Sequence, residues 1–137
     1  MEIPDPYFKN VSSFGNLSME QIIVDYDYPL LFVLKDIKGN RFLCRCFDTR
    51  GSQQWLLTPV ANADLIALLE DRLELQTPFI NENGTKVLAG FNHKTGEEEC
   101  ALLKAEEVPE HALPEAGEYL EAEPDERTSY IQNLRAG

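Results

Sequence analysis

Alternation of apolar and polar positions dominates the first half of the chain. In PLLFVLKD, Leu30, Phe32 and Leu34 fall on one side of an extended backbone and Leu31, Val33 and Lys35 on the other, so both faces begin apolar. A turn at IKGN follows. RFLCRCFD then sets Phe42, Cys44 and Cys46 against Arg41, Leu43, Arg45 and Phe47, the period of two expected of a strand with one mixed face. TRGS makes the next turn, which Asp48 is expected to fix through its own backbone, with Arg50 as its partner. SQQWLLTPV places Trp55 and Leu57 against Leu56 and Val60, and Pro59, lacking an amide hydrogen, ends the pairing. These runs predict an antiparallel meander. Upstream, EQIIVDYDY has two readings: Ser18 with Gln21 resembles a capping box, while Ile22, Val24, Tyr26 and Tyr28 alternate, which favours a strand.

The period changes after Val60. Leu65, Leu68, Leu69 and Leu73 recur at helical spacing through ANADLIALLEDRL, with Asn62 as the expected N-cap of one amphipathic helix covering the sheet. LELQTPFI fits neither period cleanly. NENG reads as a turn, and TKVLAGFN and EEECALLKA flank HKTG as a second hairpin. The aromatics Phe32, Phe42, Phe47, Trp55, Phe79 and Phe91 are expected in the core. The predicted fold class is therefore α+β: an antiparallel meander of three to four strands plus a second hairpin, one covering helix and a short C-terminal helix.

Beyond Ala105 the character changes. Pro109, Pro114 and Pro124 break any long element, and acids dominate. The chain divides into a core domain, residues 1–105, and an acidic, proline-spaced strap with a terminal helix, residues 106–137, docked on the same domain. Val108, Leu113, Tyr119 and Leu120 are the expected anchors of the strap. Tyr130, Ile131 and Leu134 make an apolar stripe on a helix starting near Pro124.

Composition sharpens this picture. A chain of 137 residues is long enough for one domain with its own core, so disulfides are not required. Three cysteines, an odd number, and a start (MEIPDPYF) with neither basic nor long apolar character point to a reducing cytoplasm. No apolar run reaches the roughly 18 residues that a membrane span needs. The net charge is −12, and its distribution is uneven: residues 97–126 hold twelve acids against Lys104 alone, whereas residues 1–96 hold twelve acids and nine bases. Such a field repels phosphate backbones and anionic lipid and attracts cationic surfaces.

The strings YDYPLLFVLKD, GNRFLC, DTRGSQQW and LPEAGEYL, in that order, resemble a family of small uncharacterised bacterial domains of unknown function. In that family a YD-x-P-LLF strand, an FLC strand, a D-x-R-G-x-x-x-W turn and strand, and an acidic LP-x-x-G-E-Y-L segment recur. The resemblance covers roughly residues 23 to 121. It implies that the acidic strap belongs to the domain and that the source is prokaryotic or phage; it implies no catalytic residue.

The chemical candidates are sparse. Cys44 and Cys46 share a strand face and Cys100 lies on a later strand, but zinc needs four ligands, and His93 and His111 sit in a turn and in the strap. Asp25 and Asp27 share a face without a nucleophile or histidine beside them. INENG lacks the alternate oxygen ligands of a calcium loop, and the glycine-rich phosphate loops, nucleophile elbow and zinc-protease helix are absent from the sequence. Arg41 and Arg45 are too few to hold nucleic acid against the net charge.

The expectation is a non-enzymatic interaction module, without cofactor or metal, that docks onto a basic protein partner of the regulatory or toxin-neutralising kind. Its contact residues are Glu110, Leu113, Glu115, Glu118, Tyr119, Glu121, Glu123 and Asp125. The alternatives are a phage-type inhibitor that mimics nucleic acid before a nucleic-acid-binding protein, and a small-ligand binder or enzyme on the sheet face. Neither direct nucleic-acid nor membrane binding is expected, and a homodimer is compatible with the sequence.

Overall fold

A computed structural model describes residues 17–26, 28–36, 38–48, 52–82, 84–92, 98–120 and 124–136. Six strands, β1 (Leu17–Tyr26), β2 (Tyr28–Asp36), β3 (Arg41–Asp48), β4 (Ser52–Val60), β5 (Lys86–Asn92) and β6 (Glu98–Leu103), form one antiparallel sheet in chain order. The fold is α+β. Among the described residues the meander runs to six strands, more than the expected three to four with a second hairpin beside them. β5 pairs with β4 from Ser52↔Asn92 to Leu57↔Val87, so the second hairpin extends the sheet instead of standing apart from it.

Side-chain alternation sorts the strands into two apolar faces. On one, Leu31, Val33, Leu43, Leu56 and Val60 are buried beneath the helices. On the other, Phe32, Leu34, Phe42, Cys44, Cys46, Trp55, Leu57 and Val87 form a second buried cluster with Ile22 against it. Cys44 and Cys46 thus behave as small apolar core residues. The β2–β3 turn is fixed by Asp36. Its Oδ1 accepts the amide hydrogens of Lys38 (2.9 Å) and Asn40 (2.8 Å), while Gly39 takes a φ of +91° that a side chain would resist.

Helix α1 (Asn62–Leu69) buries Leu65, Leu68 and Leu69 on the first face. Its N-cap is Ala61, not Asn62. Arg41 in β3 claims the Asn62 side chain, Nη1 donating to Oδ1 at 2.8 Å, so the amide braces the sheet and does not cap the helix. Leu73 falls past the helix end, half-buried against the same core. TPFI, left undecided by its pattern, is a single helical turn, α2 (Thr77–Ile80), which starts with Pro78 in its first turn and buries Phe79 completely. Helix α3 (Pro124–Ala136) lays Tyr130, Ile131 and Leu134 into the first cluster. Near its end, Arg135 Nη2 reaches Glu70 Oε2 at 2.7 Å, an exposed pair of small energetic weight.

Candidate functional site

The acidic strap starts where β6 ends and is built from short devices. Lys104 is extended, and a one-turn 3-10 helix, Ala105–Glu107, follows, with Glu107 Oε1 accepting the Lys104 amide hydrogen at 2.8 Å. Pro109, fixed at φ −62°, starts a second 3-10 turn, Glu110–Ala112. Glu115 to Glu118 make a third turn: the Glu118 amide donates to the Glu115 carbonyl (3.2 Å), Glu118 Oε2 accepts from the Glu115 amide (3.2 Å), and Gly117 takes φ +82°. Glu107 and Glu118 therefore shape the backbone that displays them.

Three kinds of contact fix this backbone. Ala112 and Pro114 are buried, and Val108, Leu113 and Leu120 pack half-buried against the first cluster. Arg45 crosses from β3 to donate from Nη1 to the Ala112 carbonyl at 2.8 Å. The Leu75 amide donates to the Glu118 carbonyl at 2.9 Å. Burial lowers the pKa of the Arg45 guanidinium, and the negative charge of Glu118 opposes that shift.

Of the residues expected to meet a partner, Glu110, Glu115, Glu118 and Tyr119 are exposed on the strap, beside Glu106 and Glu107. Leu113 is half-buried against the core. Tyr119 is 41 % exposed, so it faces outward and does not anchor the strap as expected. Asp125 stands in the first turn of α3, and Glu121 and Glu123 lie outside the described residues. Asp27, Arg50 and His93 also lie outside them, as do the side chains of Asp25, Asp48, Cys100 and His111. Among the described residues no group of three or more His, Cys, Asp or Glu side chains is arranged to hold a metal ion.

Two polar clusters escaped the sequence reading. In the first, Glu20 Oε1 accepts from Arg41 Nε and from Tyr130 Oη, both at 2.6 Å, while Lys35 Nζ stands 3.7 Å from Glu20 Oε2. Burial pushes the Glu20 carboxyl up, but the hydrogen bonds from Arg41 and Tyr130 and the charges of Arg41 and Lys35 outweigh it and hold the pKa below its ordinary value. Tyr130 is shifted upward, by burial first and then by its bond to the carboxylate. With the Arg41–Asn62 bond, this cluster joins β1, β3, α1 and α3.

In the second cluster, Lys86 is fully buried, its Nζ donating to Thr58 Oγ1 (2.7 Å) and the Pro78 carbonyl (3.0 Å); Thr58 Oγ1 also contacts that carbonyl at 3.0 Å. Burial lowers the Lys86 pKa to about 8. This cluster fastens α2 to β4 and β5. Nearby, Glu82, Gly84, Thr85, Lys104, Ala105 and Glu106 line an open cavity of about 300 Å³.

Arg41 and Arg45, weighed from the sequence as a platform for nucleic acid, are committed to Glu20 with Asn62 and to Ala112. No helix among the described residues is long and apolar enough to cross a membrane.

The fold and strap define an α+β domain with a single antiparallel meander and an acidic segment fastened across its helical face. The chain belongs to the Family of unknown function (DUF6575), which matches residues 6–135, a stretch that includes the strap and nearly all of α3. No match is found among curated proteins or among solved structures.

Proposed function

We propose that the protein is a non-enzymatic docking module that offers its acidic strap to a basic protein partner, of the regulatory or toxin-neutralising kind. One observation carries this reading: the strap backbone is fixed by Ala112, Pro114 and the Arg45 bond, while Glu106, Glu107, Glu110, Glu115 and Glu118 are exposed. Among the described residues, none of these five carboxylates takes part in an ion pair. A fixed backbone removes most of the ordering cost that a free acidic tail would bear on binding. Clustered charge speeds encounter with a cationic surface, and Tyr119 supplies an exposed aromatic for the lasting contact. The same reading includes action in the cytoplasm and a bacterial or phage source; the buried Cys44 and Cys46, used as apolar core residues, fit a reducing compartment.

The test is affinity against salt for a partner co-purified from the native host and then isolated. Binding is expected to weaken steeply as salt rises. A Glu110→Gln, Glu115→Gln, Glu118→Gln variant is expected to lose roughly tenfold or more in affinity and to show a flatter salt dependence. Gln keeps the side-chain oxygen that accepts from the Glu115 amide, so the turn survives. Unchanged affinity in that variant overturns the reading. Competition by a short DNA duplex would mark the partner surface as one that binds nucleic acid.

A further inference from the structure

Where β5 begins and β6 ends, the fold builds a cavity from pinned backbone and unpaired charges. Two stretches line it: Glu82, Gly84 and Thr85, between α2 and β5, and Lys104, Ala105 and Glu106, which carry β6 into its 3-10 turn. Lys86, next to Thr85, holds the Pro78 carbonyl of α2 at 3.0 Å and pairs in the sheet with Leu103, next to Lys104. Gly84 takes a φ of +142° and lies so close to Pro59 that a Cβ there would stand 2.9 Å from the Pro59 Cγ, so the position needs glycine. On the other stretch Glu107 Oε1 accepts the Lys104 amide hydrogen at 2.8 Å. None of these contacts uses the side chains of Glu82, Lys104 or Glu106.

Those three residues are exposed, and among the described residues none of them takes part in an ion pair, although both signs of charge line one cavity. The mixture of signs selects the ligand. A simple anion meets two carboxylates there, and a simple cation has Lys104 beside it as a like charge. A molecule with one carboxylate and two cationic groups complements Lys104, Glu82 and Glu106 group for group. The Thr85 hydroxyl offers a further donor and acceptor. A volume of about 300 Å³ is at the small end for a ligand site, which suits one amino acid and excludes a folded segment.

We infer that this cavity binds a free basic α-amino acid of the arginine or lysine type, with its carboxylate on Lys104 and its two cationic groups on Glu82 and Glu106. The site is open to solvent, so each ion pair contributes little by itself and the affinity is of millimolar order. Glu110, Glu115 and Glu118 do not line the cavity. The inference therefore stands or falls separately from the docking of a basic protein on the strap.

Titration of the full chain with L-arginine at neutral pH and low salt, followed by amide NMR shifts, tests it. Saturating shifts are expected at Gly84, Thr85, Ala105 and Glu106. Agmatine, which lacks the carboxylate, and Nα-acetyl-L-arginine, which lacks the ammonium, are each expected to bind roughly threefold or more weakly. Lys104→Gln is expected to weaken arginine by a similar factor without weakening agmatine, and Glu82→Gln with Glu106→Gln to weaken both. All three side chains are exposed and outside the contacts that pin the backbone, so these variants fold. The Glu110→Gln, Glu115→Gln, Glu118→Gln variant is expected to bind arginine as the native chain does. The inference is overturned by shifts that do not saturate in the millimolar range, by agmatine binding as tightly as arginine, by equal losses for the two in Lys104→Gln, or by shifts centred on Glu110 to Glu118, which would make arginine a general counter-ion of the strap.

Discussion

The phenol of Tyr130 in α3 donates a 2.6 Å hydrogen bond to the carboxylate of Glu20 in β1, across a sequence separation of 110 residues. The same carboxylate oxygen accepts from Arg41, so the terminal helix is tied to the sheet by a charge-assisted bond as well as by the burial of Ile131 and Leu134. Tyr130→Phe keeps the ring and removes only the donor. It is expected to cost about 1.5–3 kcal/mol of unfolding free energy in urea, the range for a hydrogen bond to a charged group. Exchange of the α3 amides is expected to speed up before that of the β3 amides. A cost within a few tenths of a kcal/mol would show that packing alone holds the helix.

Acid acts on this tie with a definite sign. Burial raises the Glu20 pKa, but its hydrogen bonds and neighbouring cations leave it below the ordinary 4.5. The folded chain therefore holds the ionised form more strongly than the unfolded chain does. That stabilisation is complete above about pH 4.5 and drains away as the pH falls through the lower folded value. The stability difference between the native chain and Glu20→Gln is expected to shrink as denaturant titrations move below pH 4.5. A difference that is flat from neutral pH down to pH 3 would remove Glu20 from the acid response.

Lys86 works in the opposite range. Burial lowers its pKa from 10.5 to about 8, so between these values the unfolded chain binds more protons than the folded one, and stability rises with pH. Tyr130 pulls the other way above its ordinary value of 10, where the unfolded chain loses the phenolic proton first. The native chain is expected to gain stability from about pH 8 to 9, above which the buried Cys44 thiol, held well above its ordinary 9 by burial, opposes the gain, and Lys86→Met to lack that rise. Equal slopes in the two proteins would mean that the ammonium bears little desolvation cost.

The parts legible in the sequence were those written in a fixed period. β2 and β4 alternate along their length, β3 does so as far as Cys46, where its pairing with β4 shifts register, and α3 announces itself through Pro124 and the Tyr130, Ile131, Leu134 stripe. β1 was readable as a strand, but its register was not. Glu20, which meets Lys35 and Arg41, sits at the shift between Met19 and Gln21, so its face does not follow from the alternation of Ile22 and Val24, and no alternation rule anticipates a bulge. Lys86 was missed because lysine belongs at the surface by composition, and only the fold shows Thr58 and the Pro78 carbonyl waiting for its ammonium. The strap's anchors Val108, Leu113 and Leu120 were readable as isolated apolar positions; the burial of Ala112 and Pro114, and the outward turn of Tyr119, depend on where Arg45 and Glu118 fasten the backbone.

That fastening gives the last prediction. Arg45 Nη1 donates to the Ala112 carbonyl at 2.8 Å across 67 residues of sequence, and its charge stands near Glu118. Arg45→Met keeps an aliphatic stem on β3, leaves that carbonyl without the Arg45 donor, and withdraws the cation from Glu118. Global stability is expected to fall by about 1–3 kcal/mol, the cost of losing a partner at a buried acceptor. Exchange is expected to quicken at Ala112 and Leu113, whose amides close the Glu110–Ala112 turn, and at Leu75, while β3 and β4 stay protected. Affinity for a basic partner should drop as well, although every acid of the strap is retained, because a loosened strap must be ordered on binding. Unchanged exchange at Ala112 would assign the fastening to the burial of Ala112 and Pro114. Faster exchange with full affinity would mean that the partner reads the charge of the strap and is indifferent to its shape.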